Sequence, residues 1–182
     1  LIEYRVLQLT QKNELLKQQL NTLIAIARDN DELYNQLHHF ILAMLAHRDL
    51  SQTLETIRTH LKDNFRADAV SIHLLGEESQ QMCADGYAIN PLDSRLDNFS
   101  QVFAKQQPVC GRLKTEQLEF LFSEQAPTIK SSVLLPLTNS QNQRIGLLAI
   151  GSHDSQRFPP GMGTTFLHQM GSIISQVLSY HL

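Results

Sequence analysis

What this sequence lacks removes several functions at once. Its two cysteines, Cys83 and Cys110, are too few for a disulfide framework and too far apart for a zinc or thioredoxin-like motif, which points to a reducing cytoplasm. No apolar run approaches the ~20 residues that a membrane-spanning helix needs. With 15 Lys and Arg against 18 Asp and Glu there is no cationic surplus for a phosphate backbone, so nucleic acid is not expected as a partner. No GxxxxGK(S/T), GxGxxG after a strand, HExxH or GxSxG occurs, and no catalytic residue is assigned. Gly161-Met162-Gly163 is the one glycine cluster, and a tight turn before a helix accounts for it. The eight histidines give no metal site: His38 and His39 are neighbours, about 100° apart on a helix, and neither His39 nor His47 has a ligand partner four residues on.

What is present is enough for one core and one appendage. At 182 residues, 42% hydrophobic and 18% charged, the chain has a globular composition. It starts at Leu1 already inside a helical pattern, which reads as a fragment of a longer protein. The clearest periodicity is there: Ile2, Val6, Leu9, Asn13, Leu16, Leu20 and Leu23, continuing through Ala27, Asn30, Tyr34, Leu37 and Ile41 to Met44, alternate in steps of four and three. A seam that repeats every seven residues without Gly or Pro is a coiled coil. Asn13 falls at an a position, where a buried amide favours a two-stranded, in-register pair; the expected interface is Ile2, Val6, Leu9, Asn13, Leu16, Leu20 and Leu23 in a parallel homodimer. Beyond Leu23, Ile24 and Ile26 widen the stripe, and the helix is expected to pack partly on its own core. The expected division is a pairing helix over residues 1–46, continuing into the core, and a folded domain over 47–182.

A second helix is predicted from Asp49, capped by its carboxylate with Gln52 three residues on, with Leu50, Leu54, Ile57 and Leu61 as its apolar face. Ala69 to Leu75 alternates as a strand, with Val70, Ile72 and Leu74 on one face and Ser71 and His73 on the other. A weaker strand, Gln81 to Tyr87, is expected to return as the second arm of a hairpin. Between Asn90 and Ile129 lie short helical pieces that carry Phe99, Phe103, Phe120 and Phe122, four of the eight phenylalanines. Ser132 to Leu137 and Arg144 to Ser152 form a hairpin about Asn139 to Asn142. Pro136 implies a bulge or an unpaired edge there, because it cannot donate to a ladder. After Pro159 and Pro160 a final amphipathic helix runs to the C-terminus.

The phrase SSVLLPL, a polar turn, RIGLLAIGS and then HDSQRFPPGMGTTFLHQM (residues 131–170) resembles GAF domains, in which a strand ending in Pro-Leu pairs with one reading Ile-Gly-Leu-Leu-Ala before a closing helix. More closely, AIARDNDELYNQLHHFILAMLAHRDL (25–50) together with FPPGMGTTFL is similar to an uncharacterised bacterial family of GAF-like proteins, a domain of unknown function, over nearly the whole chain. The resemblance implies an α+β fold: a central antiparallel sheet with helices on both faces, after the long coiled-coil helix. It implies a ligand drawn from cyclic nucleotides, bilins, haem or small metabolites, or none. The Asn-Lys-Phe-Asp-Glu set for a cyclic nucleotide and the Cys-His pair for a bilin are missing, and the cofactor stays unknown.

A mainly apolar pocket is expected between the sheet and residues 92–122, with Ser71, His73, Phe99, Phe103, Phe120 and Phe122 as its ligand-binding residues. Only Arg95, Lys105, Arg112 and Lys114 in that segment answer an anion, so a neutral or singly charged metabolite is expected. The leading expectation is a non-enzymatic regulatory or sensing module that signals as a homodimer, with a protein partner reached through whatever precedes Leu1. The alternative is a dimeric interaction scaffold with a vestigial pocket. A third is a cysteine-based methionine sulfoxide reductase, which the GAF resemblance allows; Asp85 disfavours a thiolate at Cys83, and only Cys110 has a nearby cation, Arg112.

Overall fold

The computed structural model describes residues 2–76, 86–162 and 164–182. Helix α1 runs over Ile2–Leu45 without interruption. The chain divides into two compact units, residues 1–39 and 40–182. In the first, α1 is a single helix whose seam residues Ile2, Val6, Leu9, Leu16, Leu20 and Leu23 are between 54% and 79% exposed, so one copy of the chain leaves the whole stripe open to water.

The second unit begins with the last turns of α1, where Phe40 and Met44 are completely buried and the Phe40 ring lies 5.2 Å from that of His60. Helix α2 (Leu50–Asp63) buries Leu54, Ile57 and Leu61, as its period requires. Asp49 is its N-cap, but its side chain makes no capping bond; its carbonyl instead accepts from the Thr53 amide at 3.1 Å and the Thr53 hydroxyl at 3.0 Å. The expected carboxylate cap is therefore replaced by a main-chain one, and Gln52 meets His47 at 3.1 Å.

Strands β1 (Ala69–Leu75), β2 (Gly86–Ile89), β3 (Val109–Gly111), β4 (Ser131–Thr138) and β5 (Arg144–Ser152) form one sheet in the order β2-β1-β5-β4-β3. Three of its four pairings are antiparallel, but β1 pairs β2 in parallel, Ile72 opposite Gly86, so the expected hairpin is not formed. Side-chain alternation reports which face a residue occupies and carries no information on strand direction. Residues 81–85 of that expected strand lie outside the described residues.

Helices α3 (Ser100–Lys105) and α4 (Thr115–Phe122), each flanked by a 3₁₀ turn, cover one face of the sheet. Helices α2 and α5 (Thr165–Ser179) cover the other. The register puts Val70, Ile72, Leu135 and Leu148 toward α2 and α5, and Ala69, Ser71, His73, Leu134, Leu147 and Ala149 toward α3 and α4. Both faces are thus lined mainly by apolar side chains, with Ser71, His73 and Ser132 among those set into the second. Pro136 fits because β3 pairs only Ser132 to Leu134 and leaves the outer edge of β4 unpaired by it at the proline; a bulge follows between Leu137 and Thr138. The β4–β5 turn is closed by Asn139, whose side-chain oxygen accepts from the amides of Gln141 and Gln143 at 3.0 and 2.9 Å.

The Gly of the Ile-Gly-Leu-Leu-Ala phrase has a steric reason. A Cβ on Gly146 would run into the His73 carbonyl oxygen and come within 3.2 Å of the Leu74 Cα, both backbone atoms of β1 that cannot swing aside. Gly146→Ala should lower the unfolding free energy by about 1–3 kcal/mol, the scale of core overpacking, as read by urea titration.

Candidate functional site

β1 turns Ser71 and His73 toward α3 and α4, and both are buried, at 5% and 4% exposure. Two residues apart on a strand, their side chains share a face and meet: Ser71 Oγ lies 2.6 Å from His73 Nε2. The same nitrogen is 3.5 Å from the Leu121 carbonyl of α4. The first contact is a single hydrogen bond between hydroxyl and ring nitrogen, while the Leu121 carbonyl, which only accepts, stands at the limit of hydrogen-bond distance. Burial pushes His73 down to about 4; the Leu121 carbonyl opposes that shift and the charge of Arg95 adds to it. The imidazole is neutral at physiological pH.

The four phenylalanines gather on this face. Phe99, Phe103 and Phe122 are buried with Leu134, Leu147 and Ala149, and Phe120, half-buried, packs against the same cluster. The Phe120 ring stacks on His73, with centroids 5.2 Å apart and planes 20° apart, and meets Phe99 at 5.5 Å. The Arg95 guanidinium stands 4.9 Å from the Phe120 centroid, tethered by Asp93 at 2.7 Å. Of the six residues chosen from sequence, Ser71 and Phe120 thus meet His73 directly, Phe99 reaches it through Phe120, and Phe103 and Phe122 lie in the apolar cluster beside it.

Two open clefts of about 400 Å³ each border this cluster. Phe120 forms a wall of one, with Arg95, Asn98, Glu116 and Glu119. Ser71 and Phe122 belong to the other, with Arg58 and Lys62 from α2. Strand alternation and aromatic composition are enough to find Ser71, His73 and the phenylalanines in the sequence. The Leu121 carbonyl, Arg58 and Lys62 carry no such signal, because they come from elements far apart in the chain.

Of the cysteines, Cys83 lies outside the described residues. Cys110 is a free thiol on β3, and burial pushes its pKa up, away from the thiolate that a nucleophile needs. Cys110→Ser should therefore keep the fold, with an unfolding free energy within about 1 kcal/mol of the parent in thermal or urea melts. Gly161, at φ 82°, belongs to a turn closed by the Met162 amide on the Pro159 carbonyl at 3.1 Å, while Gly163 lies outside the described residues. Among the described residues, no helix is long and apolar enough to cross a membrane, and no three His, Cys, Asp or Glu side chains are placed to hold a metal.

The fold has clear parallels among solved structures. The chain is similar to the GAF domain from an Acinetobacter phosphoenolpyruvate-protein phosphotransferase, with 17% identity over 81% of this chain and 93% of that one, at a TM-score of 0.56. It is similar to residues 122 to 287 of a methyl-accepting chemotaxis protein, with 16% identity over 81% and 98% and a TM-score of 0.52. A Stigmatella aurantiaca phytochrome photosensory core matches at 12% identity and TM-score 0.54, over 82% of this chain and 36% of that larger one. These likenesses fix the fold as GAF-like. No curated protein matches the sequence. A family model covers residues 1–181, and the chain belongs to that family, described as Protein of unknown function, DUF484.

Proposed function

We propose that this chain is a non-enzymatic regulatory module of the sensing type, acting in the cytoplasm as a parallel homodimer joined through α1. The observation that carries the reading is the open seam: six large apolar residues in heptad register from Ile2 to Leu23, each more than half exposed in a single chain. A stripe of that length and register is self-complementary, which is what a two-fold helix pair requires. The GAF-like neighbours, which include part of a chemotaxis protein and a photosensory core, support a sensory role for the sheet unit. Its ligand is a small neutral or singly charged metabolite held near Ser71 and His73.

One observation favours the scaffold alternative: Phe120 already covers His73, so a ligand reaching the imidazole must displace that ring. The raised pKa of Cys110 weighs against a sulfoxide reductase. Native mass spectrometry of the protein, gently purified from its own host, tests the proposal. A dimer carrying a stoichiometric small molecule supports sensing, an empty dimer transfers the assignment to the scaffold, and a monomer overturns both.

A further inference from the structure

β3 pairs β4 only from Ser132 to Leu134, and beyond that point the edge of β4 borders a cleft of about 340 Å³, between the residues that follow α3 and the side of α5. None of its lining residues belongs to the cluster around His73. Leu135, Pro136 and Leu167 give it an apolar wall, and among the described residues the lining holds no Lys, Arg, Asp or Glu. Its polar groups are carboxamides and hydroxyls instead. Asn139 is committed to the β4–β5 turn, but the side chains of Gln106, Asn142 and Gln176 hydrogen-bond no other described residue. Ser175 is the buried hydroxyl of the lining, at 4% exposure. Ser172 and Ser179 on the same helix donate to the carbonyls four residues before them, at 2.9 and 2.7 Å. Ser175 departs from that pattern: its oxygen accepts from the Thr138 amide at 3.2 Å, and its own proton has no acceptor among the described residues. A buried donor left so is costly, and an acceptor placed in the cleft removes the cost.

We infer that this cleft binds a small uncharged molecule through an amide group, whose carbonyl oxygen accepts from the Ser175 hydroxyl while its N–H donates to a carboxamide oxygen of the rim, Gln106, Asn142 or Gln176. A carboxamide both donates and accepts, so it complements another amide, and a lining without a formal countercharge leaves an anion or a cation unpaired on leaving water. The apolar wall of Leu135, Pro136 and Leu167 takes the body of the ligand, and the whole has the usual make-up of a small-molecule site, apolar walls with a few polar groups that fix orientation. Gly171 has a packing reason of its own, since a Cβ there would stand 3.0 Å from Leu135 Cδ2. The inference does not depend on the sensing reading, because the two sites share no residue. A ligand here would join Gln106, at the end of the helix that carries Phe103, to α5.

The probes are nicotinamide and uracil, two uncharged amides of different frame, with nicotinate as the control that keeps the nicotinamide ring and replaces its amide by a carboxylate. Each is titrated into the whole 182-residue chain while backbone amide shifts are followed by NMR. The expected result is saturable binding of at least one amide, with shifts at Thr138, Asn142 and residues 171–176, and no saturation by nicotinate over the same range. Ser175→Ala should weaken it about tenfold, the scale of one hydrogen bond to a buried donor. That change also takes the acceptor from the Thr138 amide, so a second variant keeps the test decisive if the first does not fold. Ser172 is exposed, and Ser172→Leu fills the cleft from the surface of α5 with a better helix former, so it should abolish binding with the fold intact. Absence of saturation by both amides, equal binding of nicotinate, or an affinity unchanged in Ser172→Leu overturns the assignment. Saturable shifts at Ser71, His73 and Phe120 in place of α5 overturn it as well, and put the amide in the site of the sensing reading.

Discussion

Leu9→Lys combined with Leu16→Lys is expected to convert the protein from dimer to monomer at micromolar concentration while leaving its helix content unchanged. The two leucines are 67% and 54% exposed in one chain, and the proposed pairing would bury them. Full burial of a leucine is worth about 1.5–3 kcal/mol, and pairing can bury only the exposed part of the four side chains lost from the symmetric pair, so the association constant should fall by roughly 10²–10⁵ before the cost of burying ammonium groups is counted. Lysine and leucine have similar helix propensities, so α1 itself should persist. Circular dichroism and sedimentation velocity separate the two effects. Asn13→Val should act in the opposite sense, raising stability while relaxing the choice of oligomer, because the amide at that a position favours a two-stranded pair. A double-lysine variant that still sediments as a dimer would place the contact elsewhere and remove the seam from the proposal.

The parts of the fold visible in the sequence are those with a long repeat or a continuous apolar run. α1 shows its heptads; β4 and β5 show apolar runs about an Asn-rich turn; β1 shows alternation, and alternation alone puts Ser71 and His73 on one face. β3 has only Val109 to Gly111, too short for a period, and it is recognisable only through its pairing with Ser132 to Leu134. The direction of β2 has no sequence signal, because a four-residue strand reads the same way in either sense. The same limit applies to the site. Phe120 was identified by composition, but its stack on His73 depends on how α4 crosses β1, a tertiary fact with no local signature. Arg58 and Lys62 were invisible for a different reason, since on an amphipathic helix they look like ordinary polar-face residues until the α4 side closes opposite them.

Acidification should destabilise the protein by about 3 kcal/mol through His73 alone, with the loss confined to the range between pH ~6.5 and ~4. The folded pKa of about 4 lies below the ordinary histidine value of 6.5 because the imidazole is buried under Phe120 and the proton would have to be carried in an apolar site near the Arg95 charge. Between those two values the unfolded chain binds the proton and the folded chain does not, so stability rises with pH across the window, is complete above about 6.5, and is lost as pH falls toward 4. Asp68, held below the ordinary carboxylate pKa by the His153 amide and the Ser152 hydroxyl, adds an acid loss of its own at lower pH. The comparison that isolates His73 is therefore the slope of unfolding free energy against pH in the parent and in His73→Leu. The variant loses the Ser71 bond at every pH, which shifts its curve without tilting it. A parent slope that exceeds the variant's by nearly one proton near pH 5 is the expected result in urea titrations. Equal slopes would mean that His73 titrates normally in the folded protein, and hence that Phe120 does not keep water from the imidazole in solution.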